Sequence, residues 1–269
     1  MNSIAIQTES LSRRFGALEA VRDVNLHVDA GQFYGFLGPN GAGKSTTIKM
    51  LTGLLESSSG RIQVLGLDLA VDPIGVKRQI GVVPEGMALF DRLTGPEYLN
   101  FAGRMYGLDR ATAAERTREL LEFMTLADRP KTLIVDYSHG MKKKLALAAA
   151  VIHAPKVLFL DEPFEGVDAI AAGALKSMLN RMIACGVTIF LTSHVLEIVE
   201  RLCTHVGIIH RGALVAQGSI EELRSGVEAR HHPGHEAGHE PGTRLSLEQI
   251  FLDIVGGERQ AAPELSWLE

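Results

Sequence analysis

The sequence predicts an α/β fold with a mostly parallel sheet that helices cover on both faces. In the second half of the chain, short apolar runs alternate with segments of helical periodicity, the pattern of parallel strands joined by crossover helices. Earlier, an apolar run at 33–37 passes directly into a glycine-rich turn and then into a helix. Mostly helical segments over 94–152 interrupt this alternation, and we interpret them as an inserted helical subdomain.

The N-terminal part predicts β structure followed by the first helix. Apolar and polar residues alternate over 24–28, as in a half-buried strand. The apolar run at 33–37 predicts a short strand that ends in the glycine-rich turn 38–43. After this turn, apolar residues at helical spacing predict a helix over 48–55.

The remaining elements follow from the same two periodicities. Further strands are predicted at Arg61–Leu65, Ile80–Val83, Val157–Leu160, Thr188–Thr192, Val206–Ile209 and Leu214–Ala216. Further helices are predicted at Pro96–Tyr106, Thr112–Met124, Met141–Ile152, Ile170–Ala184 and Val195–Cys203.

The C-terminal part predicts two short helices separated by a linker. Ser219 with Glu222, and Ser246 with Gln249, form capping-box patterns that each open a helix. The segment 226–242 between them is rich in Gly and Pro and contains four histidines, His231, His232, His235 and His239. We expect a flexible, exposed linker, in which any metal binding would be adventitious because Gly and Pro disfavour a helix.

Composition restricts the class of protein. The chain has 269 residues, enough for one large domain or two small ones. With 27 Lys and Arg against 32 Asp and Glu, its net charge of −5 disfavours electrostatic binding to nucleic acid. Two cysteines, Cys185 and Cys203, predict a reducing, cytoplasmic setting. The most apolar stretch, Leu145–Ile152, is too short to span a membrane, and the N-terminus does not resemble a signal peptide.

The glycine-rich turn carries a phosphate-binding motif. The pattern G-x-x-x-x-G-K-[ST], between a strand and a helix, is matched by Gly38, Pro39, Asn40, Gly41, Ala42, Gly43, Lys44, Ser45 and Thr46. Its glycines let backbone N–H groups and the helix N-terminus face a phosphate. We expect Lys44 to reach the β- and γ-phosphates and the Ser45 hydroxyl to ligate Mg²⁺.

Further candidate residues follow two apolar strands. Asp161 and Glu162 come directly after Val157–Leu160, at the strand end where open α/β sheets bind ligands. On a strand neighbouring that of the phosphate loop, Asp161 would hold Mg²⁺ through water and Glu162 would be the general base for the attacking water. His194 follows the strand at 188–192 and could hydrogen-bond the γ-phosphate, although a lone histidine there is more often structural.

In order and spacing, these motifs resemble the nucleotide-binding subunit of an ATP-binding cassette (ABC) transporter over roughly residues 3–222. The resemblance implies a P-loop NTPase core with a mostly parallel sheet, an antiparallel β subdomain, and a helical subdomain at about 86–155. It divides the chain into an ABC ATPase domain (1–222), the His-rich linker (223–245), and a C-terminal helix and tail (246–269).

The same resemblance identifies a signature segment. Where the family has Leu-Ser-Gly-Gly-Gln, this chain has Tyr-Ser-His-Gly-Met at 137–141, so Ser138 and Gly140 are kept while His139 and Met141 depart from the pattern. A helix begins here, and its N-terminus would face the γ-phosphate of ATP held by the opposite subunit. Ser138 Oγ and the Gly140 N–H would be the donors.

Three further residues are assigned by the resemblance. Phe15 corresponds to the aromatic that stacks on adenine, the alternative being a core phenylalanine near a turn. Asp168 matches the last residue of the loop that crosses the dimer interface. Glu85 replaces a glutamine that senses Mg²⁺ and the γ-phosphate, and its carboxylate could still ligate the cation, with altered pH or Mg²⁺ dependence.

The resemblance implies an ATPase that powers transport. Two copies, or this chain and a paralogous ATPase subunit, would close head to tail around two ATP molecules with Mg²⁺. Membrane-spanning permease subunits would be separate chains that dock near Glu85 and the helical subdomain, with this cytoplasmic chain peripheral on the inner face of the membrane. The segment Ser246–Leu252 resembles the ending of drug- and antibiotic-export (ABC-2) type ATPases, which favours export.

Two alternative functions belong to other classes. A soluble ABC-type ATPase acting on nucleic acid or ribosomes would usually show two cassettes, a long coiled-coil insertion or a basic face, and the sequence shows none of these. A P-loop kinase or GTPase would not need the Ser138-x-Gly140 pattern before the strand that ends in Asp161 and Glu162.

Overall fold

The computed structural model describes residues 3–231 and 245–256, which form two sheets with helices packed against them. In chain order the strands are β1 (Ile4–Phe15), β2 (Leu18–Val24), β3 (His27–Asp29), β4 (Phe33–Leu37), β5 (Ser59–Val64), β6 (Leu67–Asp68), β7 (Ile80–Val83), β8 (Val157–Asp161), β9 (Thr188–Ser193), β10 (His205–His210) and β11 (Ala213–Ser219). The helices are α1 (Lys44–Leu51), α2 (Pro73–Gln79), α3 (Gly95–Met105), α4 (Arg110–Phe123), α5 (His139–Val151), α6 (Ala169–Ala184), α7 (Leu196–Leu202), α8 (Ile220–His231) and α9 (Leu247–Val255).

The larger sheet has six strands in the order β11-β10-β4-β9-β8-β7. All pairings from β10 to β7 are parallel, and β11 joins the edge antiparallel to β10. Strands β4, β8 and β9 are buried along their whole length, as expected for parallel strands with both faces covered. Their carboxyl ends meet at one edge, where Leu37 pairs with Ser193 and Asp161 with Thr192.

The smaller sheet is antiparallel, with the order β2-β1-β5-β6 and β3 paired to β1. Its buried side chains, among them Ile6 and Val64, share one apolar cluster with Phe36 and Phe190 of the larger sheet. This packing brings the β1–β2 turn beside the phosphate loop. The mostly parallel sheet and the antiparallel sheet that the sequence and its resemblance predict are therefore both present.

Helices α3, α4 and α5 pack against one another and follow β7 in the chain. Thr94 and Glu97 start α3 with a capping box, in which Thr94 N donates to the Glu97 carboxylate at 2.8 Å. Helix α5 packs Leu145 and Ala148 into the main apolar cluster and leads back to β8. Within the described residues, the helices are too short or too polar to cross a bilayer.

Several elements have the predicted limits. Strands β4 and β7 begin and end where the sequence predicts them. The capping boxes at Ser219 and Ser246 are formed and precede α8 and α9.

The predicted strand over 24–28 is instead two strands, because β2 ends at Val24 and β3 begins at His27.

The predicted linker, 223–245, lies only partly within the described residues. Helix α8 continues to His231, so the linker does not begin at residue 223 as expected. Three of the four histidines of the linker, His232, His235 and His239, lie outside the described residues.

Candidate nucleotide-binding site

The phosphate loop lies between β4 and α1, at the carboxyl edge of the larger sheet. At Gly43 the backbone φ is +109°, and a Cβ there would lie 2.7 Å from the Ala20 carbonyl of β2. At Gly38 a Cβ would collide with the Ile209 carbonyl of β10. Both positions therefore require glycine. Helix α1 begins at Lys44, so its first N–H groups face the space that the loop encloses.

Lys44 is buried beneath the loop. Its Nζ donates to the carbonyl of Gly38 at 2.8 Å and to that of Pro39 at 3.4 Å, and it lies 3.6 Å from Glu162 Oε1. Only 6% of the residue is exposed. An ammonium held in this way can place its charge against phosphates bound in the loop.

Three oxygen-bearing side chains form what we call the metal corner: Ser45, Asp161 and Glu85. Ser45 Oγ lies 3.2 Å from Asp161 Oδ1 and 3.4 Å from Glu85 Oε2. Thr192 Oγ1 donates to Asp161 Oδ1 at 2.6 Å. Among the described residues, the buried Asp161 Oδ2 has no hydrogen-bond partner. Because Mg²⁺ prefers hard oxygen ligands, the residues present fit this ion.

The carboxylate of Glu162 lies between Lys44 and His194. The backbone of Glu162 is left-handed, with φ +48°, a strained conformation that is typical of functional sites in non-glycine residues. Its N–H donates to Thr192 Oγ1 at 3.1 Å. Its Oε2 lies 3.0 Å from His194 Nδ1 and accepts from the His194 N–H at 3.4 Å. These contacts hold the carboxylate in one orientation at the surface of the cleft.

One open cleft of about 450 Å³ is lined by Lys44, Ser45, Glu85, Glu162 and His194. Phe15, the last residue of β1, and Leu18, the first residue of β2, form its apolar side and are 44% and 65% exposed. The guanidinium carbon of Arg13 lies 4.6 Å from the centre of the Phe15 ring. Such an exposed ring is not a core aromatic, so it is available to stack on a base.

The signature segment lies on another part of the surface. Ser138 caps α5, and its Oγ accepts from the Met141 N–H at 3.2 Å. A Cβ on Gly140 would lie 3.1 Å from Asp168 Oδ2, so these two residues are close neighbours. Ser138, Gly140 and Asp168 are outside the lining of this chain's cleft, as far as the described residues define it.

One expectation about the site is wrong. Strand β8, which carries Asp161, does not neighbour the strand of the phosphate loop, because β9 lies between β4 and β8. Thr192 at the end of β9 fills the gap by bonding both Asp161 and the backbone of Glu162. Sequence reasoning missed Thr192, for which no local signal exists. It also missed Lys143, whose Nζ donates to the Glu162 carbonyl oxygen at 2.8 Å, although three consecutive lysines in an otherwise apolar helix were visible.

Comparison with known proteins gives consistent matches. The family model described as ABC transporter matches residues 21–165. The linearmycin resistance ATP-binding protein LnrL of Bacillus subtilis (strain 168) is 38% identical over 220 residues, which are 82% of this chain and 71% of that protein. The daunorubicin/doxorubicin resistance ATP-binding protein DrrA of Streptomyces peucetius is 37% identical over 223 residues, 83% of this chain and 68% of that protein.

A solved structure of the ATP-binding subunit of an ABC transporter has a TM-score of 0.82 and 33% identity to this chain, and the match covers 93% of this chain and 99% of that chain. The span matched by the family model includes the phosphate loop, Glu85 and the pair Asp161 and Glu162. Phe15, Asp168 and His194 lie beyond it, so the family model does not test their assignment.

Proposed function

Because the chain belongs to the ABC transporter family, we propose that it pairs with a second copy or a paralogous ATPase subunit and powers export through separate membrane subunits. Its own activity is that of the family's ATP-binding subunits, which bind and hydrolyse ATP. One observation carries the proposal: the phosphate loop and Glu162 line one cleft, and Asp161 lies 3.2 Å from Ser45 beside it, whereas Ser138 and Gly140 lie away from it. A second subunit would bring the two halves together.

Hydrolysis depends on charge and positioning. Lys44 and the N–H groups of the loop hold the β- and γ-phosphates. Mg²⁺, which Ser45, Asp161 and Glu85 would hold, supplies positive charge against the phosphate oxygens. Glu162 orients the attacking water and accepts a proton from it. The contact with His194 already fixes the orientation of the Glu162 carboxylate for this role. The His194 side chain is 40% exposed and lines the cleft, where it would hydrogen-bond the γ-phosphate.

The N-terminus of α5 suits the nucleotide of a facing subunit. This helix has 13 residues, and a helix N-terminus attracts phosphate through its N–H groups and dipole. Ser138 is exposed there, and Asp168 is exposed beside it. Head-to-tail closure would place Ser138 and the N–H groups of α5 against the γ-phosphate across the interface, with Asp168 in the loop that crosses that interface.

A surface groove supports docking of a membrane subunit. This groove of about 540 Å³ lies between α2 and the end of α3 and is lined by Ile74, Lys77, Arg78, Met105, Tyr106 and Gly107. Ile74 and Met105 are 63% and 70% exposed and line the same groove, so they offer adjoining apolar surface to a partner. An amphipathic helix of a permease fits a groove of this kind. The chain would then lie on the inner face of the membrane.

The direction of transport is proposed from relatives. LnrL and DrrA are both named as resistance proteins, linearmycin resistance for one and daunorubicin/doxorubicin resistance for the other. The export-like segment Ser246–Leu252 also forms the start of α9. The nucleic-acid or ribosome alternative is not favoured, because the chain carries a net charge of −5.

The test is affinity purification of Glu162→Gln from membranes with ATP and Mg²⁺ present. Removing the base should leave ATP bound, so we expect an ATP-dependent dimer together with integral membrane subunits. The matched control is the double variant with Lys44→Ala, which should lose both because it holds ATP poorly. Recovery of soluble or ribosomal partners alone would contradict the transport role, and a monomer with ATP bound would favour a kinase or GTPase.

A further inference from the structure

Helix α5 contains a buried lysine that has no part in the hydrolytic roles above. Lys143 is 2% exposed, and its Nζ donates to the carbonyl oxygen of Glu162 at 2.8 Å. Burial lowers the pKa of Lys143, although the carboxylates of Glu165, Asp161, Glu162 and Glu85 partly offset the effect. These carboxylates belong to the ATP cleft or its immediate surroundings, so the ammonium lies directly behind that site.

The next residue provides an internal comparison. Lys144 is 6% exposed, and its Nζ donates to Thr125 Oγ1 at 2.8 Å, just beyond the end of α4. Burial lowers its pKa as well. The two lysines match in residue type, helix and burial, but Lys144 holds the helical block together whereas Lys143 holds the catalytic residue.

The carbonyl that Lys143 holds belongs to a strained residue. A left-handed backbone at Glu162 persists only if its surroundings fix it. Thr192 holds the N–H of this residue, and the Glu165 N–H closes a turn onto its carbonyl at 3.3 Å. Lys143 is the charged donor to that carbonyl, and charge-assisted hydrogen bonds are the stronger kind.

The same helix holds the other end of this turn. His139 Nε2 lies 3.2 Å from the Glu165 carbonyl oxygen. A Cβ on Gly166 would lie 3.3 Å from the His139 ring, so the ring packs closely against the chain that follows. Helix α5 therefore contacts the turn Glu162–Glu165 at both ends, through Lys143 and His139. A shift of the helix would be transmitted to the turn through these contacts.

Building on the proposed function, we propose that Lys143 is a positioning residue for hydrolysis, which holds the Glu162 carbonyl and thereby keeps the Glu162 carboxylate in place. Because α5 begins beside Ser138, the helix that meets ATP on the facing subunit also sets the catalytic base of its own subunit. Lys143 does not line the cleft, so it acts on the rate of hydrolysis and not on ATP binding.

The test compares Lys143→Met, Lys143→Arg and the matched control Lys144→Met in the full-length chain. Methionine keeps the unbranched apolar stem but removes the charge. We expect Lys143→Met to lower kcat by at least about tenfold, toward the roughly 100-fold loss that a 1 Å misplacement causes. The KM for ATP, and ATP affinity measured in the Glu162→Gln background, should change by less than about twofold.

Lys143→Arg keeps a charged donor and should restore part of kcat, whereas Lys144→Met should leave kcat within about twofold whatever it does to thermal stability. If Lys143→Met does not fold, Lys143→Gln carries the same expectation against Lys144→Gln. An unchanged kcat, a loss that the Lys144 variant shares, or a loss explained by KM would overturn the inference. If the unsubstituted chain itself neither hydrolyses ATP nor dimerises with it, the proposed function fails instead.

Discussion

Replacing Glu85 with glutamine removes one negative charge from the metal corner but keeps the side-chain length and one carbonyl oxygen. Glu85 Oε2 lies 3.4 Å from Ser45 Oγ, and the residue is exposed, so the screened, water-like limit of the Coulomb interaction applies. In that limit two unit charges about 4 Å apart interact by ~1 kcal/mol, which gives up to ~2 kcal/mol with a divalent ion. A loss of about 1 to 2 kcal/mol predicts a five- to thirtyfold rise in the half-saturating Mg²⁺ concentration.

The assay titrates free Mg²⁺ at saturating ATP and follows two signals. The first is the ATPase rate of the chain with and without Glu85→Gln. The second is ATP-driven dimerisation in the Glu162→Gln background, which reports metal and nucleotide binding without turnover. Both curves should shift to higher Mg²⁺ by a similar factor, because the lost charge acts on binding of the ion.

Glu165→Gln is the matched control, because it removes the same charge from the lining of the same cleft without touching Ser45. We expect its Mg²⁺ curve to shift by less than about twofold, since salt screens the interaction between the ion and an exposed charge that does not ligate it. Two results would refute the reasoning. If Glu85→Gln leaves the curve unchanged, Glu85 is not at the metal, and if both variants shift it equally, only the net charge of the cleft matters.

Two further predictions concern other parts of the cleft. Phe15→Ala should weaken ATP binding by about 5- to 100-fold, because base–aromatic stacking contributes ~1–3 kcal/mol. Measuring GTP binding by the same variant shows whether the ring favours one base. An unchanged nucleotide affinity would show that Phe15 does not stack on the base. Thr192→Val removes the 2.6 Å hydrogen bond to Asp161 Oδ1, which keeps only the longer contact with Ser45 at 3.2 Å. Thermal unfolding should therefore report a loss of about 1–3 kcal/mol, and a stability equal to that of the unsubstituted chain would show that the bond is replaced by water.

Elements were predictable wherever one local pattern determined them. Strands β4 and β7 are apolar runs with turn or polar residues at both ends, and both have their predicted limits. Helix α2 was missed because seven residues are too few for a clear period. Its start was nevertheless visible, since Asp72 caps it by accepting from the Gly75 N–H at 2.8 Å and Pro73 occupies its first turn.

The candidate site also has one part that a local sequence pattern predicts and another part that it does not. The phosphate loop is contiguous, so its motif alone assembles Lys44 and Ser45 against the helix N-terminus. Glu162 and His194 directly follow the separate strands β8 and β9, and their meeting could be predicted because parallel strands share a carboxyl edge. Which strands are neighbours is a tertiary property that no local pattern contains. For that reason β9 was not expected beside β4, and Thr192 was missed.

The departures from the family's signature show why a motif should be judged by its contacts. Compared residue by residue with the family's signature, the segment 137–141 matches only in part, because His139 and Met141 replace the usual residues. In the structure Ser138 still caps α5 and remains exposed, so the groups that would face phosphate are retained. The His139 ring adds a contact to the Glu165 carbonyl, which a glycine could not make. His139 therefore ties the signature helix more closely to the turn that begins at Glu162, the proposed general base, so the departure from the motif adds a contact between the signature segment and that turn.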